Sequence, residues 1–560
     1  MQPIEKCCDI LRTTIGAQKP WSHQLDTWRS IFLEDKIIAL KAPTASGKTE
    51  AAIIPYLYQA ITGDWRLAPG LIYVLPNKTL LFSQYRRIVE LVKKLNLEEK
   101  IHVNVDIGGF YPGKTFLFGD IVLTTLDAFA YGLFTKRTFI VGKTPSDETL
   151  GKSLFPAGNI ATSFVVFDEV QVYQDKEYYI PRVLGKIIYF LYEAGIKLLV
   201  MTATFPSVLR GELFKLIDTS DISEIEKKTS ERGKVRISLE YMSSTLRESK
   251  IRDLILNLIR KSRRVLIVVN TVGRAVETFK FVMNNKPKDA IAILLHSRLR
   301  AKIRREREDL LERIKGDTSR RVIVVATQVI ESGVDFSFDC IITELAPIDA
   351  LIQRIGRVAR RPKEQGEAYI IGVPKPAPYE NNILIRTKEI IQDMQIEMAL
   401  GDLEITQKIL DTVYDAPPEL SQYAQKKLSE TLTAINHLKP HVDPVYYRPS
   451  IRLDLYITVI LLEELLGVEE EAEKVELEID SLKKLEQNQI NINYVGQEIN
   501  RYPYLDFGGY ALKISEISFT EMETYRLTIK RTHKIFAHNL YIINPKEYKC
   551  VGGVEIGLGV

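Results

Sequence analysis

The stretch from Ala39 to Ala52, ALKAPTASGKTEAA, decides how the rest of the chain is read. An apolar, strand-like segment, KIIALKAP, leads into Ala42-Pro43-Thr44-Ala45-Ser46-Gly47-Lys48-Thr49, and a good helix former, EAAIIPYLYQAI, follows. Strand, loop and helix in that order is the context a phosphate-gripping loop requires. Backbone N–H groups and the helix N-terminus would hold the phosphates of ATP. Lys48 would neutralise the β and γ oxygens, and Thr49 would ligate Mg²⁺. The usual pattern begins with glycine where Ala42 stands. That position is the loop entrance, where a small residue suffices, whereas Gly47 lies next to the phosphates.

Working outward, short apolar runs recur: LIYVLP (71–76), DIVLTT (120–125), SFVVFDE (163–169) and KLLVMTAT (197–204). Helix-like mixtures separate them, as expected of parallel strands covered on both faces. After a bridging stretch near 206–234 the pattern returns in VRISLEYM (235–242), RVLIVVN (264–270), AIAILLHS (290–297), RVIVVAT (321–327) and DCIITEL (339–345). Two successive α/β domains are the economical reading, over 1–208 and 209–400. From about residue 400 the texture turns helical and then strand-like, which predicts a mixed α+β accessory domain over 401–560. The acidic stretch GVEEEAEKVELEID (467–480) reads as a solvated helix face or loop. The basic run 298–321, interleaved with Glu and Asp, reads as an exposed, salt-bridged helix rather than a nucleic-acid surface.

Bulk properties bound the function. The 560 residues exceed one core, and a net charge of +4 leaves any nucleic-acid contact to local basic surfaces. The four cysteines, Cys7, Cys8, Cys340 and Cys550, contain no C-x-x-C pair, so normal zinc or iron–sulfur spacing is missing and a reducing cytoplasm fits. No apolar run reaches membrane-spanning length, and the first residues lack a signal-peptide core. The expectation is a soluble cytoplasmic protein without membrane contact.

Two further motifs complete an ATP-hydrolysing set. In FVVFDEVQ, Asp168 and Glu169 follow an apolar strand ending at the same sheet edge as the loop. Asp168 would hold Mg²⁺ together with Thr49, while Glu169 would orient and deprotonate the attacking water. In ALIQRIGRVARR, Arg357 and Arg360 are three apart and so would share a helix face, reaching the γ-phosphate across a domain cleft as arginine fingers.

The strings APTASGKT, DEVQ, TAT (202–204), ATQVIESGVDF (326–336) and QRIGRVAR together resemble a superfamily 2 helicase in order and spacing. The resemblance implies two tandem RecA-like parallel-sheet domains over roughly residues 15–400. Gln24 in KPWSHQLDTW resembles the adenine-reading glutamine of that superfamily. TELAPIDALIQRIGRVARR and AGNIATSFVVFDEVQ are similar to segments of the CRISPR-associated helicase-nuclease of type I interference. Gln171 stands where that family usually has histidine, keeping a hydrogen-bonding side chain able to couple the nucleotide site to TAT. Glu344 stands where it often has Asp.

The resemblance implies DNA-strand contacts at Thr124 and Thr125 and within LPNKT from the first domain, and at His296, Arg298 and Thr327 from the second. It places Gly333 and Asp335 between nucleotide and strand. It implies single-stranded and R-loop DNA as substrates, 3′ to 5′ movement, and a CRISPR surveillance complex as partner. None of the seven histidines precedes Asp, and Pro440 interrupts HLKPH, so no HD nuclease site is legible. The expectation is the helicase-only form, acting with a separate HD nuclease subunit. Two alternatives stay open: a superfamily 2 RNA or DNA-repair helicase, although neither DEAD nor HRIGRTGR stands here, and a non-hydrolytic, ATP-gated scaffold.

Overall fold

The computed structural model describes residues 2–17, 19–43, 46–107, 116–134, 147–175, 177–227, 233–240, 246, 248–331, 333–361, 363–373, 378–393, 402–437 and 451–453, and beyond these only strand segments between 456 and 558. Contacts divide the chain into two compact units, Met1–Ser230 with Leu410–Leu453, and Glu231–Ile409 with Asp454–Val560.

The first unit is built on seven parallel strands: β1 (Ile37–Lys41), β2 (Gly70–Leu75), β3 (Val103–Asp106), β4 (Ile121–Thr125), β5 (Ser163–Phe167), β6 (Leu198–Thr202) and β7 (Ile222–Glu226), ordered β3-β4-β2-β5-β6-β1-β7. The alternation within β1 explains why its run is apolar throughout. Ile37 and Ala39 join one core with Val165 and Val200, while Ile38 and Leu40 join another with Tyr73 and Leu199. Both faces are therefore dry, and helices such as Lys48–Thr62 and Tyr179–Glu193 supply the covering side chains.

The expected bridging stretch near 206–234 is not a mere connector. It contains helix Ser207–Leu213 and then β7, which adds to the sheet beside β1, with Lys41 paired to Glu226 at 3.3 Å. β7 escapes a pattern search because its sequence, ISEIE, is half polar, as suits an edge strand. Residues 410–437 and 451–453 pack on the same unit. Ala424, Ile435 and Ile451 enter its core, Tyr179 and Thr431 share a hydroxyl hydrogen bond of 3.0 Å, and Arg452 pairs with Asp127 at 2.7 Å.

The second unit repeats the plan with six parallel strands: β8 (Lys234–Glu240), β9 (Arg264–Val268), β10 (Ile291–Leu295), β11 (Val322–Ala326), β12 (Cys340–Glu344) and β13 (Gln365–Ile371), ordered β10-β11-β9-β12-β13-β8. Leu266 and Val268 face one core, Val265 and Ile267 the other. The basic run forms helix Ala301–Ile314 with Arg304 and Glu308 paired at 3.0 Å, in line with the salt-bridged reading. Strands Tyr456–Leu461, Lys474–Glu478, Ile492–Val495, Ala511–Phe519, Met522–Lys530 and Leu540–Ile543 make a further, mixed sheet. The acidic stretch read as a helix face or loop therefore contributes a strand, Lys474–Glu478, whose alternating KVELE suits one wet face. The chain ends in a hairpin, Tyr548–Val551 with Val554–Leu558. No helix among the described residues is long and apolar enough to cross a membrane.

Candidate active site

The strand ends of the first sheet bring Ala42, Lys48, Asp168 and Glu169 together. β1 is followed by Ala42, which is wholly buried and donates its N–H to Thr202 O at 3.0 Å. A small residue packs there without needing glycine's freedom. Pro43 follows, Thr44 and Ala45 lie outside the described residues, and the chain resumes at the buried Ser46. Gly47 adopts φ 78° as it enters helix Lys48–Thr62, and a Cβ there would meet Gln24 Nε2 at 2.5 Å and the Trp21 ring at 3.1 Å. Conformation and space both demand glycine.

Gln24 donates from Nε2 to Gly47 O at 3.1 Å and accepts the Trp21 N–H at 3.0 Å, so it stands against the loop. His23 beside it is buried against Ser46 O at 3.0 Å. Burial, helped by the Lys227 charge, pushes its pKa down to about 4, so the ring is neutral near pH 7. Trp21, partly exposed, stacks on His23 and carries the Lys227 ammonium over its face.

Lys48 is nine-tenths buried. Its Nζ donates to Ala42 O at 2.9 Å and Pro43 O at 3.3 Å and lies 3.4 Å from Glu169 Oε1. At the end of β5, Asp168 is almost wholly buried. Oδ2 accepts the Tyr73 hydroxyl at 2.8 Å and Oδ1 accepts the Glu169 N–H at 2.8 Å. Burial, then the neighbouring Glu169 carboxylate, pushes Asp168 up to about 7 against the opposing pull of Lys48 and Tyr73. Glu169 itself sits at φ 51°, an uncommon conformation for a side-chain-bearing residue and a frequent mark of a functional turn. It accepts a hydrogen bond from Gln171 Nε2, and Gln171 Oε1 faces the Thr202 hydroxyl at 2.6 Å. A polar chain thus runs Lys48, Glu169, Gln171, Thr202, from the loop to TAT.

One lysine faces two carboxylates, leaving an excess of buried negative charge. Oxygen donors from Thr49 and Asp168 suit a hard dication that keeps water and takes its other ligands from phosphates. The residues present therefore fit Mg²⁺. Sequence reading missed Tyr73, on β2, and Gln84, whose Oε1 accepts the Thr49 hydroxyl at 3.2 Å. A tyrosine inside an apolar strand was the available signal, since a buried phenol needs a partner.

The second unit departs from expectation. Helix Ile348–Ile355 stops before Arg357, so Arg357 and Arg360 do not share a helix face. The backbone instead bridges Val358 to Phe338 and turns through Ala359 at φ 47°. Both arginines fold back on the segment 331–337. Arg357 is buried and donates to Val334 O at 2.7 Å and to Glu331 O, whereas Arg360 pairs with Asp335 at 2.6 Å. Asp335 is 62% exposed and also lies 3.4 Å from Lys315. Gly333, at φ 87°, makes the turn that brings Asp335 round.

Arg354, fully buried, is the hub of this region. It pairs with Glu331 at 2.7 Å and donates to Asn270 Oδ1 at 2.9 Å, Thr343 Oγ1 at 3.1 Å and the Tyr379 hydroxyl at 2.9 Å. Glu344, also buried, accepts the Asn270 N–H at 2.6 Å and pairs with Arg274 at 2.7 Å. The extra methylene over Asp brings its carboxylate to that arginine.

Several strand-contact candidates are turned inward. Thr124 is buried with its hydroxyl on Asp106 O at 2.6 Å, and Thr125 caps the helix Leu126–Leu133. His296 is wholly buried: Nε2 bonds Ile556 O of the terminal hairpin at 2.9 Å, and Nδ1 accepts the Arg298 N–H at 3.2 Å. Its ring is therefore a core element rather than a gripping surface. Thr327 is 3% exposed, its N–H on Leu295 O at 3.1 Å.

Two parallel-sheet units, one carrying a phosphate loop with an Asp-Glu pair and the other an arginine-rich segment, define an ATP-hydrolysing helicase of superfamily 2. The model for DEAD/DEAH box helicases matches residues 21–210, and that for the C-terminal part of the CRISPR-associated nuclease/helicase Cas3 matches residues 261–363. The chain belongs to the Cas3 helicase family. It is 31% identical over 438 residues to the CRISPR-associated helicase Cas3 of Thermoproteus tenax, covering 76% of this chain and 72% of that one. It is 28% identical to a putative CRISPR-associated nuclease/helicase Cas3 of Methanocaldococcus jannaschii, covering 71% of this chain but only 54%, about half, of that one. The fold is similar to the crystal structure of T. fusca Cas3 with ATP, at TM-score 0.59 and 16% identity over 84% of this chain and 65% of that chain. A helicase of this family binds nucleotide and hydrolyses ATP.

Proposed function

We propose that this helicase moves along single-stranded DNA, 3′ to 5′, and unwinds R-loop DNA opened by a CRISPR surveillance complex, with cutting left to a separate HD nuclease subunit. The observation that carries the reading is the polar chain from Lys48 through Glu169 and Gln171 to Thr202. It joins the group that would neutralise the γ-phosphate, the base and the TAT segment through one ion pair and two hydrogen bonds.

In this reading Gln24 orients the adenine, and Gly47 with Lys48 cradles the phosphates on the helix N-terminus. Thr49 and Asp168 hold Mg²⁺, which when bound supplies charge neutralisation on the β and γ oxygens. Glu169 orients a water and takes its proton as the water oxygen bonds phosphorus and the β,γ-bridging oxygen leaves with ADP. Arg360 exchanges Asp335 for the developing phosphate charge, while Arg357 keeps the turn that presents it. Gly333 and Asp335 pass the state of that turn to the strand-binding side, where Arg298 meets backbone phosphate and Thr125 and Thr327 shape the strand ends. Each base-pair step separated costs on the order of 1.4 kcal/mol, which ATP turnover covers.

ATPase rates with single-stranded DNA, duplex DNA and RNA test the substrate. DNA stimulation is expected, and strict RNA stimulation would replace this reading with an RNA helicase. Glu169→Gln should bind ATP yet lose unwinding; unchanged unwinding would remove Glu169 from its role. Addition of a surveillance complex holding an R-loop should raise turnover further.

A further inference from the structure

Tyr73 is wholly buried in β2, in a strand otherwise made of Gly, Leu, Ile and Val, and phenylalanine would fill the same space. Its hydroxyl is therefore not explained by packing. It donates to Asp168 Oδ2 at 2.8 Å. The Thr49 hydroxyl meets Gln84 Oε1 at 3.2 Å. Gln84 belongs to helix Lys78–Lys94, which follows β2, so one strand-helix unit touches both groups that the nucleotide reading assigns to the cation.

The geometry constrains Asp168 at both oxygens. The Glu169 N–H fixes Oδ1, and the phenol fixes Oδ2. Each carboxylate oxygen keeps a further lone pair, so these bonds set the plane of the group without consuming its capacity to bind a cation. Without the phenol, only the Glu169 N–H would hold the Asp168 carboxylate against the repulsion of the Glu169 side chain. We propose that Tyr73 is a positioning residue for ATP hydrolysis: it aims the Asp168 carboxylate at the cation position that Asp168 would share with Thr49, while Gln84 restrains the Thr49 hydroxyl. The inference rests on the proposed Mg-ATP reading of this site.

Groups that orient metal ligands typically contribute 10- to 100-fold in metal affinity. The test uses the full-length chain as wild type, Tyr73→Phe and Gln84→Ala. The fluorescence of mant-ADP is titrated with MgCl₂, and ATPase is measured across the same Mg²⁺ range. Tyr73→Phe should raise the Mg²⁺ midpoint about tenfold or more in both measurements, with mant-ADP affinity in EDTA changed less than about twofold. Excess Mg²⁺ should recover most of kcat, a pattern that a loss of packing would not produce. Gln84→Ala should shift the midpoint in the same direction by less. A Tyr73→Phe protein that melts like wild type and keeps the wild-type Mg²⁺ midpoint overturns the inference. If Tyr73→Phe does not fold, an unshifted Gln84→Ala midpoint overturns it instead. A wild type whose hydrolysis ignores Mg²⁺ overturns the nucleotide reading itself; a wild type that needs Mg²⁺ beside unshifted variants overturns only the role of Tyr73.

Discussion

The two parallel-sheet units both bury charged side chains, the first just past the end of β5 and the second on helix Ile348–Ile355, and treat them in opposite ways. In the first, Asp168 and Glu169 share a single close cation, Lys48, and Asp168 is pushed up to about 7 by burial and by its neighbour. In the second, Arg354 is buried more completely, yet Glu331, Asn270, Thr343 and Tyr379 surround it. The first cluster sets two carboxylates against one lysine, an excess of negative charge that a cation would offset. The second is balanced by its own residues and holds the segment 331–337 in shape. One site stores its demand for ligand; the other stores rigidity.

The largest expected effect tests that rigidity. Arg354→Met leaves Glu331 charged and unpaired beside the core, and breaking a buried pair from one side costs about 3–5 kcal/mol. Denaturant unfolding should show that loss, with early hydrogen exchange in β9 and β12. A loss below about 1 kcal/mol would mean that the arginine is not the hub.

Next comes the chemistry of the first unit. Gln171→Ala removes a hydrogen bond to the Glu169 carboxylate, and bonds to charged groups contribute about 1.5–3 kcal/mol. Read as barrier height, this is roughly a ten- to hundredfold fall in kcat, with the unfolding midpoint nearly unchanged. A stability loss matching the loss in rate would make Gln171 a structural residue and erase the contrast between the units.

The pH dependence should also differ in sign. Asp168 is raised from 3.8 to about 7, so the ligand-free native state binds more protons than the unfolded chain between those values. Stability contributed there is present at low pH and falls as pH rises through about 7. His296 is lowered from 6.5 to about 3, chiefly by burial, with Arg307, Arg298 and Arg304 acting in the same direction. Its native state binds fewer protons, so stability is present above 6.5 and is lost as pH falls toward 3. Stability differences between wild type and Asp168→Asn, and between wild type and His296→Gln, should therefore slope oppositely with pH. Equal slopes would show that one of the two groups does not titrate as its surroundings require.

How much of this was legible beforehand follows the same division. The loop from Ala42 to Thr49 is contiguous, so strand, turn glycine, lysine and helix could be read in line, and DEVQ follows a strand that alternates between two cores. The Tyr73 hydrogen bond arises only when β2 lies beside β5, and the Gln84 bond only when helices Lys48–Thr62 and Lys78–Lys94 meet, neither of which a local pattern specifies. The helix face expected for Arg357 and Arg360 failed because the helix ends at Ile355 and β13 needs the chain to turn back beside Phe338. Spacing of three implies a shared face only inside a helix. His296 misled in another way: a strand-end histidine looks available in sequence, but the terminal hairpin, some 260 positions later, covers its ring.

The smallest effect on stability, and the most discriminating, concerns Arg360 and Asp335. Their 2.6 Å contact joins a largely buried guanidinium to a carboxylate that is 62% exposed. Water screens such a pair, so Arg360→Ala should alter stability by less than about 1 kcal/mol, in contrast to Arg354→Met only six residues away. If Arg360 leaves Asp335 for the γ-phosphate during turnover, its loss should nonetheless suppress DNA-stimulated hydrolysis strongly. Asp335→Asn, by releasing Arg360, should spare ATP binding while uncoupling hydrolysis from DNA. Equal ATPase stimulation by DNA in wild type and Arg360→Ala would leave Arg360 as a surface ion-pair partner, and the second unit would then be structural throughout.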